Sequence, residues 1–251
     1  MLSPMLRNVS PRLLQSLALA LFTISHTAQA GIGGIGNAQV TKGAFTTHLR
    51  NAYIEDGENG RQDNRWRSRI MTDYGIHDWL AAGFYVQGDR RDDDNLELEA
   101  LIGELRFEFT SADTSGYYSG ARLRYTWRDG DKKPDDAHIR LILGAPYGRW
   151  DFRINQIFGL ETGTDARAGL LVETRPQVTY GYYETHRAGI ESFSNFGNLS
   201  RVDGWNNQSH EIGPVFQGPL TDTLNYEAGY RRGISDAAAN HTVRLFLIQS
   251  F

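Results

Sequence analysis

The last eleven residues, His241 to Phe251, constrain the fold more than any other stretch of the chain. Val243, Leu245, Leu247 and Phe251 share one parity, and only Gln249 interrupts them. Thr242, Arg244 and Ser250 share the other, beside Phe246 and Ile248. Successive strand residues show opposite faces, so this stretch predicts a strand with one apolar and one mixed face.

The same alternation recurs upstream. Trp66, Ile70 and Tyr74 oppose Arg65, Arg67, Arg69 and Asp73. Tyr117, Ala121, Leu123, Tyr125 and Trp127 oppose Tyr118, Arg122, Arg124 and Arg128. Trp150, Phe152, Ile154 and Phe158 oppose Asp151, Arg153 and Asn155. Strands are expected near 43–53, 65–74, 79–87, 96–109, 117–128, 138–143, 149–158, 169–180, 185–193, 209–217, 224–232 and 241–251. Between them, long polar connections near 54–64, 88–95, 129–137, 160–168, 194–208 and 233–240 alternate with short ones. Outer-membrane barrels pair short periplasmic turns with longer extracellular loops. The expected fold is therefore an all-β, antiparallel transmembrane barrel of about twelve strands over 43–251, with both ends in the periplasm. Twelve strands of about 9–11 residues leave loops of ordinary length, whereas sixteen would leave almost none.

A chain that closes on such a strand with a terminal Phe resembles bacterial outer-membrane β-barrels. That resemblance implies that Phe251 acts as a barrel-assembly signal read by the barrel-assembly machinery. Residues 1–30 agree with export. Arg7 and Arg12 precede the apolar run Leu13–Ile24, and Ala28-Gln29-Ala30 has the small-x-small form of a cleavage site. The run is too short to span a bilayer as a helix. Cleavage after Ala30 would leave 31–42 as a periplasmic N-terminal segment before the barrel. Charged residues make up 22% of the chain, which suits a transmembrane barrel because only alternate strand residues meet lipid. No basic run points to nucleic acid.

Lys42, Lys132 and Lys133 fall in loops or before the first strand, while the polar parity of the strands is rich in arginine. A water-facing parity in a soluble sandwich could hold lysine freely, so the membrane barrel is preferred. Trp66, Tyr74, Trp79, Trp127 and Trp150 lie near expected strand ends, as interfacial girdle aromatics do. Pro176 and Pro214 fall inside expected strands and should mark bulges or strand ends. The alternation near residue 103 changes phase, which predicts a bulge at Gly103 with Leu96, Leu98, Ala100 and Ile102 outward.

If apolar parity faces lipid, the lumen is lined by His48, Arg50, Arg65, Arg67, Arg69, Glu97, Glu99, Arg122, Arg124 and Arg244, among others. Strands one, two and twelve then form a basic wall whose only expected acid is Asp73, facing the glutamates of strand four. Rings of arginine favour anionic solutes, and the guanidinium fork matches carboxylate or phosphate. An arginine-lined barrel of this size resembles the acidic-oligosaccharide porins of Gram-negative bacteria (the oligogalacturonate-specific type). The resemblance implies passive diffusion of small anions, acidic sugars among them, through an outer membrane of phospholipid and lipopolysaccharide.

Two other readings use different residues. A plugged barrel acting through its extracellular loops would use the lumen charges only as a structural lattice. A surface lipid hydrolase would need a nucleophile and base, and Ser209-His210-Glu211 supplies the residue types. Neighbouring strand residues point apart, which argues against that pair. Gly57, Gly60 and Gly130 sit in acidic loops without the ladder of a calcium loop. No cofactor and no metal are expected.

Overall fold

The computed structural model describes residues 31–56, 64–91, 94–129, 133–183 and 185–251. The leader and its cleavage site lie outside the described residues, as do Gly57, Gly60 and Gly130. Twelve strands form one closed antiparallel barrel. They are β1 (Phe45–Glu55), β2 (Arg65–His77), β3 (Leu80–Arg91), β4 (Glu97–Thr110), β5 (Tyr118–Arg128) and β6 (Asp135–Tyr147), then β7 (Trp150–Thr162), β8 (Leu171–Tyr183), β9 (His186–Asn198), β10 (Ser209–Pro219), β11 (Leu224–Gly233) and β12 (His241–Ser250). β12 closes the ring on β1, with Leu49 opposite Leu247 and Ala52 opposite Arg244. The terminal Phe251 donates its amide to the Phe45 carbonyl at 3.0 Å, and the two rings lie 5.7 Å apart.

Alternation decides which side chain goes where. In β2, Arg65, Arg67, Arg69, Met71 and Asp73 are buried in the interior, while Trp66, Ile70 and Tyr74 are exposed on the outside. The same sorting holds in β5 and β12, where Arg122, Arg124 and Arg244 turn inward and Leu123, Trp127, Val243 and Leu245 turn outward. The outside is therefore an apolar wall and the inside a polar one, an inversion that favours lipid around the barrel. Trp66 and Trp127 lie toward the end with the long loops, called here the outer end. Tyr74, Trp79 and Trp150 lie toward the short-turn, inner end. All five are exposed on the barrel's exterior, in the two belts that interfacial aromatics form.

Three expectations about strand geometry are corrected. The phase change in β4 lies at Glu99, where Gln87 pairs with Ala100 and Gly88 with Leu98. Ala100 and Ile102 consequently turn inward against Met71 and Tyr85, while Leu98, Leu101, Leu105 and Phe109 face outward. Apolar residues occupy both parities between 98 and 102, so hydrophobicity could not position the extra residue. Glu97, expected in the lumen, is exposed at the outer rim. Pro176 and Pro214 mark neither bulges nor strand ends. Both face outward within continuous registers, Pro176 opposite Ile154 and Pro214 opposite Ile190. On the other flank the ladder lapses without shifting, at 175–176 against β9 and at 213–214 against β11. Each proline spends its missing donor in a local gap, so closure survives.

The largest departure concerns the segment before β1. Residues 31–42, expected as a periplasmic segment, run as an extended strap inside the barrel. Ile32, Ile35 and Ala38 are buried in the lumen at 2%, 3% and 0% exposure. At the inner end Gly43 donates to the Gly75 carbonyl at 2.8 Å, which turns the chain from the strap into β1. The glycine at 43 has φ 77°, a conformation that favours glycine at this reversal.

Candidate functional site: an arginine-lined lumen holding its own strap

Strap and wall are joined mostly by arginine donors and strap carbonyls. Arg231 donates Nη2 to the Gly31 carbonyl at 3.1 Å and Nη1 to that of Gly33 at 3.4 Å. Gly34 receives both Arg175 Nη1 at 3.2 Å and Arg140 Nη1 at 3.3 Å. Arg153 reaches the Ile35 carbonyl at 3.1 Å, Arg122 that of Asn37 at 2.7 Å, and Arg106 that of Gln39 at 3.3 Å. Asn155 grips Gly36 twice, donating to its carbonyl at 3.0 Å and accepting its amide at 2.9 Å. Glu108 accepts the Val40 amide at 2.6 Å. An extended chain in a lumen has no sheet partner, so its peptide groups need side-chain partners. The run Gly-Ile-Gly-Gly-Ile-Gly follows from the same closeness. A Cβ at Gly33 would lie 2.6 Å from Arg175 Nη1, and one at Gly36 would lie 2.8 Å from Arg122 Nη2.

The expected basic wall is neutralised more than its own three strands allow. Arg65 makes a bidentate pair with Asp89 at 2.6 and 2.7 Å, and Arg67 pairs with Glu99. Arg244 donates to Glu191 at 3.0 and 2.6 Å and to Glu227 at 2.5 Å. Arg122 and Arg124 share Glu104, whose Oε1 accepts from Arg122 at 3.1 Å and whose Oε2 accepts from Arg124 at 2.5 Å. His48 Nε2 lies 3.4 Å from Asp73, which also takes Arg106 Nη2 at 3.1 Å. The transverse field expected from a wholly basic wall is thus broken up, because Asp89, Glu99, Glu191 and Glu227 reach in from β3, β4, β9 and β11.

Arg50, Arg69 and Arg140 have no carboxylate at ion-pair distance among the described residues. Arg69 is held by the amide oxygen of Gln87 at 2.8 Å. Arg50 lies over the Phe246 ring, 4.6 Å from its centroid, and its Nε has no hydrogen-bond partner among the described residues. Arg140 donates to the strap carbonyl of Gly34. Burial without a counter-charge is costly, so these positions mark where the lumen would gain most from an anion.

Sequence reasoning missed Asp89 and the strap. The expected third strand stopped at Gln87, although Tyr85, Gln87 and Asp89 continue one parity. The strap offered no alternation, only glycines spaced by Ile32, Ile35 and Ala38. The residues considered for hydrolysis do not assemble: the His210 ring stacks on Trp205 at 3.8 Å and its Nε2 contacts Gln208 at 3.1 Å, with no bond to Ser209.

At the outer mouth, Lys133 lies 3.7 Å from Glu99 within a cleft that also holds Arg65 and Arg128. Burial, with Arg67 and Arg65 close by, brings its amine down to about 7 despite Glu99. The folded barrel therefore binds fewer protons there than the unfolded chain between about pH 7 and the ordinary lysine value, so stability gains as pH rises through that window. Below about pH 7 the mouth carries one more positive charge than above it. Any anion bias in a salt gradient should be greater at pH 6 than at pH 8, and Lys133→Gln should shrink that difference. An undiminished difference in the variant would place the titration elsewhere.

No protein-family model matches the sequence, and no curated protein sequence matches it. Solved structures do match in fold. The COG4313 outer membrane channel from Pseudomonas putida F1 superposes with a TM-score of 0.63 at 11% identity, over 87% of this chain and 100% of that one. The KdgM porin gives 0.57 at 8% identity, over 82% and 99%. The NanC porin gives 0.57 at 10% identity, over 81% and 98%. At these identities the likeness is one of fold, and it bears out the architectural resemblance to twelve-stranded outer-membrane porins.

Proposed function

We propose that the chain is an outer-membrane channel of a Gram-negative bacterium, passing small solutes by passive diffusion with a preference for anions. One observation carries this reading: a closed barrel with an apolar exterior has a lumen lined by guanidinium groups, of which Arg50, Arg69 and Arg140 lack a carboxylate partner. The three barrels it resembles are named as channels or porins. Acidic sugars fit the guanidinium lining as one solute class among anions. Of the arginines first considered, Arg65 and Arg67 are matched by Asp89 and Glu99, so selectivity falls mainly to Arg50, Arg69 and Arg140. In planar bilayers the mature protein should show steady openings with a reversal potential biased toward anions. The double variant Arg50→Gln, Arg140→Gln should lower that bias, while removing a matched pair together, Arg65→Gln with Asp89→Asn, should change it little. Equal selectivity in wild type and double variant would remove these arginines from the role.

The strap favours a second reading, in which the barrel is closed and acts through its outer loops. A correctly folded protein that stays silent in the bilayer with the strap in place, and remains silent without it, would support that reading.

A further inference from the structure

Beside the strap, toward the inner end, lies a cavity of about 560 Å³. Its lining includes Arg50, Arg106, Arg122, Arg140 and Arg153, from five different strands, together with His48. Two carboxylates, Asp73 and Glu227, also border it. Both are already committed: Asp73 to Arg106 and to the Tyr85 hydroxyl at 3.2 Å, and Glu227 to Arg244. Glu104 cannot supply the balance, since it is shared between Arg122 and Arg124.

A second observation falls on the same residues. His48 Nδ1 and the Nε atoms of Arg50, Arg106, Arg122 and Arg140 are buried polar atoms without a hydrogen-bond partner. These make up most of the unpartnered buried polar atoms among the described residues, and all five side chains border this one cavity. Arg140 is 5% exposed and Arg122 6%, so they are fixed parts of the wall. Buried donors in native proteins are normally satisfied, and a surplus of convergent guanidinium groups favours a multiply charged oxyanion.

We propose that this cavity is a binding site for a compact polyanion, a small polycarboxylate or a phosphate-bearing solute entering from the inner end. The strap forms one of its sides, since residues from Gly34 to Thr41 border the cavity. Five guanidinium groups converging on so small a space favour a small, highly charged ligand. Arg50 and Arg140 take the new charge, because neither has a carboxylate of its own. The site shares its surplus charge with the channel reading but does not need conduction.

The test is isothermal titration of the complete mature chain, refolded in detergent micelles at low salt, with citrate, pyrophosphate and acetate. Citrate or pyrophosphate should bind saturably at one site, with acetate weaker by at least about tenfold, because one carboxylate engages fewer guanidinium groups. Arg50→Gln and Arg140→Gln should each weaken citrate by about tenfold or more, whereas Arg50→Lys, which keeps the charge, should stay within about threefold. Arg167→Gln, in an outer loop, should leave binding unchanged. Absence of saturable binding by both polyanions, equal affinity in the glutamine variants, or acetate binding as tightly as citrate would each overturn the site. Binding by a protein that conducts nothing refutes the channel alone; conduction without binding refutes the site alone.

Discussion

Deleting residues 31–40 should raise the unit conductance of the barrel by at least about threefold, because the strap fills much of a lumen already narrowed by inward side chains. The strap extends from Gly31, under Ile54 and Arg231, to Thr41 beside Gly75 at the inner end. At about 3.3–3.6 Å per extended residue its ten residues cover roughly the thickness of a bilayer core. The deletion exposes Arg231, Arg175, Arg140, Arg153, Arg122 and Arg106, whose donors then turn to water. Those groups are costly only while dry, so the open barrel should still fold. Single-channel recording of both forms decides the matter, and a deletion that leaves conductance unchanged would mean that ions follow a path the strap does not obstruct.

The second large effect lies at Glu104. Its Oε1 accepts from the Tyr85 hydroxyl at 2.6 Å and from Arg122, while Oε2 accepts two donors from Arg124 at 2.9 and 2.5 Å. Glu104→Ala strips one carboxylate from two buried guanidinium groups and leaves Tyr85 with Asp73 as its remaining partner. Breaking a buried pair from one side costs about 3–5 kcal/mol, mainly because the surviving charge is left dry. Glu104→Gln keeps an acceptor and should lose less. Urea unfolding in lipid vesicles, followed by tryptophan fluorescence, reads both. In the strap-deleted barrel water reaches the same arginines, so the cost of Glu104→Ala should fall toward the about 1 kcal/mol of a solvated pair. A cost that is the same with and without the strap would mean that the strap does not keep this part of the lumen dry.

Parity carried the fold into the sequence. Where one side of a strand is arginine and the other tryptophan or leucine, as in β2 and β5, a single-residue shift would put every guanidinium in lipid, so the register is strongly specified. The long and short connections then set twelve strands without any structural knowledge. Legibility failed where the pattern was degenerate. Leu98, Ala100, Leu101 and Ile102 are apolar on both parities, and the bulge settled at Glu99, where its carboxylate meets Arg67. Pairing partners were only partly legible: Arg244 could be placed in the lumen, but its bonds to Glu191 and Glu227 cross strand boundaries that alternation does not order. The strap was illegible for a deeper reason. Its ligands are main-chain carbonyls, which every residue possesses, and its contribution to recognition is an absence of side chain at Gly33, Gly34 and Gly36.

The measurement that tests the account most directly uses the absence of cysteine from the chain. Ala38→Cys introduces a single thiol at a strap position that is 0% exposed within the lumen. In the folded barrel, reconstituted in vesicles, this thiol should resist a bulky membrane-impermeant maleimide offered from either side, and should react fully once the barrel is unfolded. A Ser115→Cys thiol, exposed at an inner turn, should react promptly in the folded state. Labelling of residue 38 as fast as residue 115 would put the strap outside the lumen, and the arginine ladder that depends on it would fall with it.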